Sequence, residues 1–206
     1  MFQTPITIIN NGLDLKNIYN ADAYDKEKFE IPKTSKVIIQ VSNFSPQKDQ
    51  ITLIKAVALL PEHVYLFLVG DGPLKKASET LALDLGISKR VLFLGPRTDV
   101  PNLIKTADIA VLSSNHEGFG LAILEGMAAE KPCVASNVDG LSEIIKDAGV
   151  LFEKGNELEL RDILLNIIKD ESFQKTIAQK CYRRSKKFDI QFMVDNYLSI
   201  YNNNNN

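Results

Sequence analysis

Two carboxylates, Glu117 and Glu125, flank a pair of glycines in the stretch Ser113-Ser114-Asn115-His116-Glu117-Gly118-Phe119-Gly120-Leu121-Ala122-Ile123-Leu124-Glu125. The stretch follows Asp108-Ile109-Ala110-Val111-Leu112, an apolar run short enough for a buried strand, and it leads into a helical run from Leu121 to Ala129. The glycines therefore fall at a strand-to-helix turn. At such a turn the first backbone N–H groups have no partner within the helix, and the macrodipole places partial positive charge beside them. An anion is favoured there, and Gly118 and Gly120, lacking Cβ, let it approach the backbone closely. Glu125 lies about five residues into the helix, so at ~1.5 Å per residue it is within reach of the ribose of a nucleotide whose phosphates sit at the turn. Glu117, on the other side of the glycines, would face whatever extends from the far phosphate. The plainer alternative makes Glu117 a solvated loop charge and Glu125 a surface helix residue, with the glycines serving only the turn.

The elements that must position these residues alternate along the chain. Strand-like runs recur at Val37–Val41, Val64–Val69, Val91–Leu94, Ile109–Leu112, Pro132–Ala135 and Val150–Phe152. Helical patterns cover Gln50–Leu60, Leu74–Leu85, Val100–Thr106, Leu121–Ala129, Leu141–Lys146, Leu158–Lys169 and Phe173–Lys187, with a last one near Gln191–Tyr201. Such alternation, with runs that are nearly continuous in apolar character, predicts an α/β fold with a doubly wound, Rossmann-like parallel sheet covered on both faces. Ligands in these folds bind at the carboxyl ends of the strands. Lys48, Gly70, Gly95, Glu117 and Ser136 all fall just past predicted strand ends, on that one rim.

Composition narrows the classes further. The chain has 206 residues, 24 basic and 26 acidic, for a formal net charge of -2, which gives no footprint for nucleic acid. Cys133 and Cys181 are too few for a disulfide framework, and Cys133 sits in an apolar run that suits a buried thiol. No apolar run approaches the roughly 18 residues of a spanning helix, so no transmembrane segment is expected. His63 and His116 are far apart, with no cysteine or carboxylate cluster at ligand spacing, so neither a metal site nor a cofactor is expected. A nicotinamide-dependent dehydrogenase would also be doubly wound. Its first strand should run into G-x-G-x-x-G, whereas here the turn is Ser42-Asn43-Phe44-Ser45-Pro46.

The motifs taken together carry a resemblance. Asn10-Asn11-Gly12-Leu13-Asp14, then Lys48 after a strand and turn, Gly70-Asp71-Gly72-Pro73, Val91-Leu92-Phe93-Leu94-Gly95, Glu117 to Glu125, and Asp139-Gly140-Leu141-Ser142-Glu143 occur in that order. This series resembles the donor-binding, C-terminal half of retaining glycosyltransferases of the GT-B architecture, the group 1 or family 4 type. The resemblance implies that Glu125 binds the ribose hydroxyls, that Glu117 contacts the transferred sugar, and that the N–H groups of Gly118, Phe119 and Gly120 cradle the diphosphate. Lys48 matches the lysine that neutralises the diphosphate, so Lys48 and Glu117 are the candidate catalytic pair. Gly70 would allow approach of the donor. A departure occurs at Asn43, where the family usually has a phosphate-contacting arginine. Arg97 is a nearby cation in the sequence order whose place relative to that gap is open.

The resemblance also implies an organisation. Residues 1–36 would be an interdomain entry strand (Ile6 to Asp14) and a surface connection with at most one short helix, and residues 37–187 the nucleotide-sugar-binding domain. Residues 188–201 would be a crossover helix and residues 202–206 a disordered polar tail. Partners would be a nucleoside diphosphate sugar, a glycan or lipid acceptor, and an N-terminal acceptor-binding domain absent before Met1. Phe192, Val194, Tyr197 and Tyr201 would then form an interface toward that domain, the alternative being ordinary packing on this domain's own sheet. The implied location is cytoplasmic, peripheral at the inner membrane surface in the full-length enzyme. A non-catalytic nucleotide-binding or interaction module is the alternative function.

Overall fold

The computed structural model describes residues 6–203. Six strands, β1 (Lys36–Val41), β2 (Val64–Val69), β3 (Val91–Gly95), β4 (Ile109–Leu112), β5 (Cys133–Ser136) and β6 (Val150–Phe152), form one sheet. Its order is β3-β2-β1-β4-β5-β6 and all five pairings are parallel. The expected doubly wound α/β architecture is therefore what the chain adopts. Because β1 lies between β2 and β4, the direction of winding reverses at the β1–β4 pair, where Ile38 lies beside Ile109. In open parallel sheets this reversal leaves a crevice beyond the strand ends.

Nine helices occur among the described residues: α1 (Leu15–Tyr19), α2 (Gln50–Ala58), α3 (Lys75–Asp84), α4 (Val100–Thr106), α5 (Leu121–Ala128), α6 (Leu141–Ile144), α7 (Glu157–Lys169), α8 (Glu171–Ser185) and α9 (Ile190–Asn203). Four of them start on side-chain caps: Asp14 accepts from Lys16 N, Asp49 from Thr52 N, Asn156 from Glu159 N and Asp170 from Phe173 N. The first turn of α5 has no such cap, since Gly120 occupies its N-cap position at φ +82°. Pro73 does not open α3, which begins two residues later at Lys75. Strand residues Ile38, Ile39, Leu66, Phe67, Ile109, Val111 and Val134 are all buried under this helical cover. Among the described residues no helix is long and apolar enough to cross a membrane.

The two ends of the chain differ from expectation. Residues 6–12 form no strand, and the only pairing in this stretch is an isolated parallel bridge from Leu13 to Asp189. The alternating Ile6 and Ile8 side chains stand exposed instead of entering a sheet. The connection that follows is not confined to the surface. It forms α1 and a 3-10 turn at Lys26–Phe29, and it buries Leu15, Ile18 and Ile31 in the core. At the other end Asn202 and Asn203 continue α9 as helix, and residues 204–206 lie outside the described residues. Phe192, Val194, Tyr197 and Tyr201 do not pack on the sheet: they are 61, 38, 46 and 66% exposed.

Candidate functional site

The loops after β1 and β4 are sewn together across the winding reversal. Gln40, a polar residue buried inside β1, donates from Nε2 to the Lys48 carbonyl at 2.9 Å, while its Oε1 lies 2.9 Å from Ser113 Oγ at the end of β4. Ser113 Oγ also lies 2.8 Å from the Asp49 carbonyl, and Asn115 N donates to the Gln47 carbonyl at 2.7 Å. Asn115 Nδ2 adds a bond to Pro46 O at 3.0 Å. A fully satisfied buried network of this kind fixes loop position, because each unmade bond would leave a buried polar group unpaired.

The result is an ion pair between Lys48 Nζ and Glu117 Oε2, with side chains only 21 and 14% exposed. Lys48 is thus held by Glu117. It does not pair with Asp49, whose carboxylate caps α2 and bonds Thr52 Oγ1 at 2.7 Å. Ser114 Oγ lies 3.4 Å from the same Glu117 oxygen. His116 is exposed beside them, and so is His63.

Lys48, Glu117, Phe119 and Gly120 line one cavity of about 240 Å³ together with Val41 and Leu112, the last residues of β1 and β4. Leu121 and Ala122 close it from the first turn of α5, and Asn11 and Ser42 from the side. Among the described residues no acceptor faces the backbone N–H groups of Gly118, Phe119, Gly120, Leu121 or Ala122, whereas Ile123 N and Leu124 N both bond Gly120 O. The cavity is thus bounded by a row of free donors, the positive end of a helix and an ammonium group. Gly120 is required twice over: its φ is left-handed, and a Cβ there would lie 2.5 Å from Leu141 Cδ2. Gly118 has open space around it and lines a second cavity with Phe119, Gly140 and Glu143. Phe119 is steadied by an edge-on contact with Phe188, centroids 5.8 Å apart.

The remaining expected residues are not brought to this cavity wall. Glu125 lies on the α5 face of Leu121 and Ala122, one turn further on. Burial raises its carboxyl from the ordinary 4.5 to about 7, with no charged partner opposing the shift. Asn43 is exposed, its backbone carbonyl held by Gln50 Nε2 at 2.8 Å. Gly70 serves packing: a Cβ there would come within 2.1 Å of the Ser42 carbonyl oxygen. Arg97 does not fill the place of a cation beside Asn43. Both its Nε and terminal nitrogen bind Asp99, at 2.8 and 2.6 Å, and this guanidinium holds the Asp99 carboxyl well below its usual range. Glu143 caps nothing with its side chain, and its carbonyl accepts from Arg184. Gln40, Ser113 and Asn115 were not expected to matter. The available signal was a glutamine inside the otherwise apolar Val37-Ile38-Ile39-Gln40-Val41.

Residues 22–186 match the family described as glycosyl transferases group 1. The chain is 32% identical over 203 residues to the N-acetyl-alpha-D-glucosaminyl L-malate synthase of Bacillus anthracis, covering 95% of this chain and 53% of that protein. It is 30% identical to the UDP-Gal:alpha-D-GlcNAc-diphosphoundecaprenol alpha-1,3-galactosyltransferase of Escherichia coli, covering 95% of this chain and 54% of that one. The chain thus spans about half the length of these curated relatives. Among solved structures, Anabaena Alr3699/HepE in complex with UDP and glucose superposes with a TM-score of 0.88 at 30% identity, over 96% of this chain and 57% of that one. A solved C-terminal domain of a group 1 family protein (LpcC) from Francisella tularensis is matched over its whole length by 87% of this chain, at a TM-score of 0.76 and 26% identity. With the crevice at the winding reversal and these likenesses, the chain belongs to the group 1 glycosyl transferases, in a domain of the GT-B architecture.

Proposed function

We propose that this chain is the donor-binding domain of a retaining glycosyltransferase that moves a hexose from a nucleoside diphosphate sugar to a glycan or lipid acceptor. The observation that carries the reading is the row of N–H groups from Phe119 to Ala122, unpaired among the described residues, that lines one cavity with Lys48 at the β1–β4 crevice. A diphosphate is the anion of the right size and charge for such a row. Uridine is the favoured base, because Alr3699/HepE was solved with UDP and with UDP-glucose.

In this reading Lys48 turns one of its three ammonium hydrogens to the diphosphate while keeping Glu117 on another. Charge developing on the bridging oxygen as the sugar leaves is met by that ammonium and by fixed backbone dipoles, which need no reorganisation at the moment of reaction. Glu117 orients the sugar and stabilises positive character at the anomeric carbon. Its tie to Lys48 argues against a free nucleophile. Glu125 accepts from the ribose hydroxyls. The acceptor side of the cleft belongs to a further domain, so this chain alone should bind donor and transfer nothing, since positioning and exclusion of water require closure over the crevice.

Ligand-observed NMR with uridine, guanosine and adenosine diphosphate sugars tests the reading. Binding of the uridine donor, lost in Lys48→Ala, is expected. Absence of binding by every donor, or binding indifferent to Lys48→Ala, would overturn it. Acceptor-dependent transfer by this chain at the rate of a protein that also carries the acceptor domain would overturn the division of labour.

A further inference from the structure

Five cations converge on an open cleft away from the crevice. Lys180, Arg183 and Arg184 come from the last turns of α8, Lys187 from the turn after it, and Lys146 from the segment between α6 and β6. With Asp147 and Ala148 they line a cavity of about 270 Å³. Positions 180, 183, 184 and 187 follow the spacing of a single helical face. Among the described residues none of the five is in an ion pair, and the one carboxylate on the rim is Asp147.

The end of a helix favours cations, and that accounts for Arg183 and Arg184 in the last turn of α8. It does not account for Lys146, which arrives from another element. The juxtaposition is built by Arg184, whose Nε donates to Ile144 O at 2.6 Å and whose terminal nitrogen donates to Glu143 O. These bonds pin the end of α6 to α8 and bring Lys146 over the cationic face. Like charges gathered this way repel unless an anion lies between them.

We infer that this cleft binds a phosphate group, carried either by a soluble phosphate ester or by a lipid headgroup. Lys180, Arg183 and Lys187 are exposed and free to close on it, and Arg184 is the positioning residue. The inference does not rest on the donor reading: the crevice at Lys48 and Glu117 shares no lining residue with this cleft, and only Lys146 and Arg184 of the five also reach the second cavity beside Gly118 and Phe119.

The test uses the full chain, labelled with nitrogen-15, titrated with sodium phosphate against sodium chloride of equal ionic strength. Saturable amide shifts confined to residues 146–148 and 180–187 are expected with phosphate. They should weaken at least about tenfold in the double variant Lys180→Glu, Arg183→Glu, whose positions are exposed and whose melting curve should be unchanged. Sedimentation with phosphatidylcholine vesicles, with and without phosphatidylglycerol, separates the sources. Phosphate shifts with co-sedimentation on the anionic vesicles assign a headgroup, and shifts without co-sedimentation assign a soluble ester. Shifts no larger than those of chloride, or a folded double variant that keeps them, would overturn the inference.

Discussion

At the amino edge of the sheet Asp108, one residue before β4, accepts from Val37 N at 2.8 Å and from Lys26 Nζ at 2.8 Å, with Lys36 Nζ 3.8 Å from its other oxygen. Lys26 Nζ donates in turn to Ser35 O at 2.7 Å, and Lys131 Nζ nearby donates to Lys105 O at 2.8 Å. Burial lowers Lys131 to about 8, so even this lysine is held by the fold at some cost to its charge. At the carboxyl edge the loops are equally well fastened, yet among the described residues the backbone N–H groups of Phe119 to Ala122, which line the cavity, have no acceptor. Both edges gather charge over strand ends. One spends it on closing loops, and the other leaves it for something that arrives from solvent.

Removing one half of an ion pair at each edge should therefore give different readouts. On the proposed function, Lys48→Ala is expected to slow sugar transfer, measured with this chain joined to an acceptor-binding domain, about 10²–10³-fold, the range seen when one preorganised stabilising group is lost, while stability changes little. Asp108→Ala is expected to cost about 1–3 kcal/mol in urea unfolding, since it strands the Lys26 ammonium and Val37 N in a partly buried place. Donor affinity should stay within about twofold of wild type, because the two edges lie too far apart to couple. A stability loss for Lys48→Ala equal to that of Asp108→Ala would erase the contrast and make the Lys48–Glu117 pair a second structural clasp.

Glu125 sharpens the contrast, being a half-buried carboxyl with no charged partner to offset its desolvation. Its proton is held more tightly in the folded chain, so the stability it contributes is complete below about 4.5 and is lost as pH rises through about 7. Glu125→Gln should then gain about 1–2 kcal/mol over wild type at pH 8, and the gain should vanish below about pH 4.5. Affinity for a uridine diphosphate sugar should move the other way. The variant should bind about tenfold more weakly at pH 8, having lost charge-assisted bonds to ribose. Calorimetry at pH 6 and 8 checks both halves. Unchanged donor affinity with raised stability would leave Glu125 as a burial defect and not a ligand.

How much of this was legible in the sequence differs by the range of the interaction. The six strands and the start of α5 are local facts of apolar run length and glycine placement, and Ile109–Leu112 and Val150–Phe152 have the bounds their patterns predict. The link between Lys48 and Glu117 is not local. It depends on Gln40 meeting Ser113 across 73 positions, a register that only the β1–β4 pairing sets. The strand expected at Ile6 to Asp14 shows the converse. That expectation rests on the resemblance and not on a local pattern, and among the described residues no strand pairs with residues 6–12. Gly70 was legible as a glycine that something approaches closely, yet the approaching group is the chain's own Ser42 carbonyl.

The smallest expected effect tests whether the carboxyl edge is short of charge. Asn43 stands beside Ser42, which lines the cavity, but its own side chain is exposed and engaged only by Ser45 Oγ at 3.4 Å. Arg97 cannot serve, being bound to Asp99. Lys48 is then the one cation lining the cavity among the described residues, and it is already paired with Glu117. Asn43→Arg adds a flexible cation at the rim, where solvent screening limits an extra charge to about 1 kcal/mol. Donor affinity should rise about three- to fivefold at low salt, and the gain should shrink as salt is raised. The diphosphate without sugar should gain as much as the donor, since the new charge addresses phosphate alone. A gain confined to the sugar-bearing donor, or no gain with stability unchanged, would mean that the free N–H row and Lys48 already satisfy the anion, and that the asparagine is no deficit.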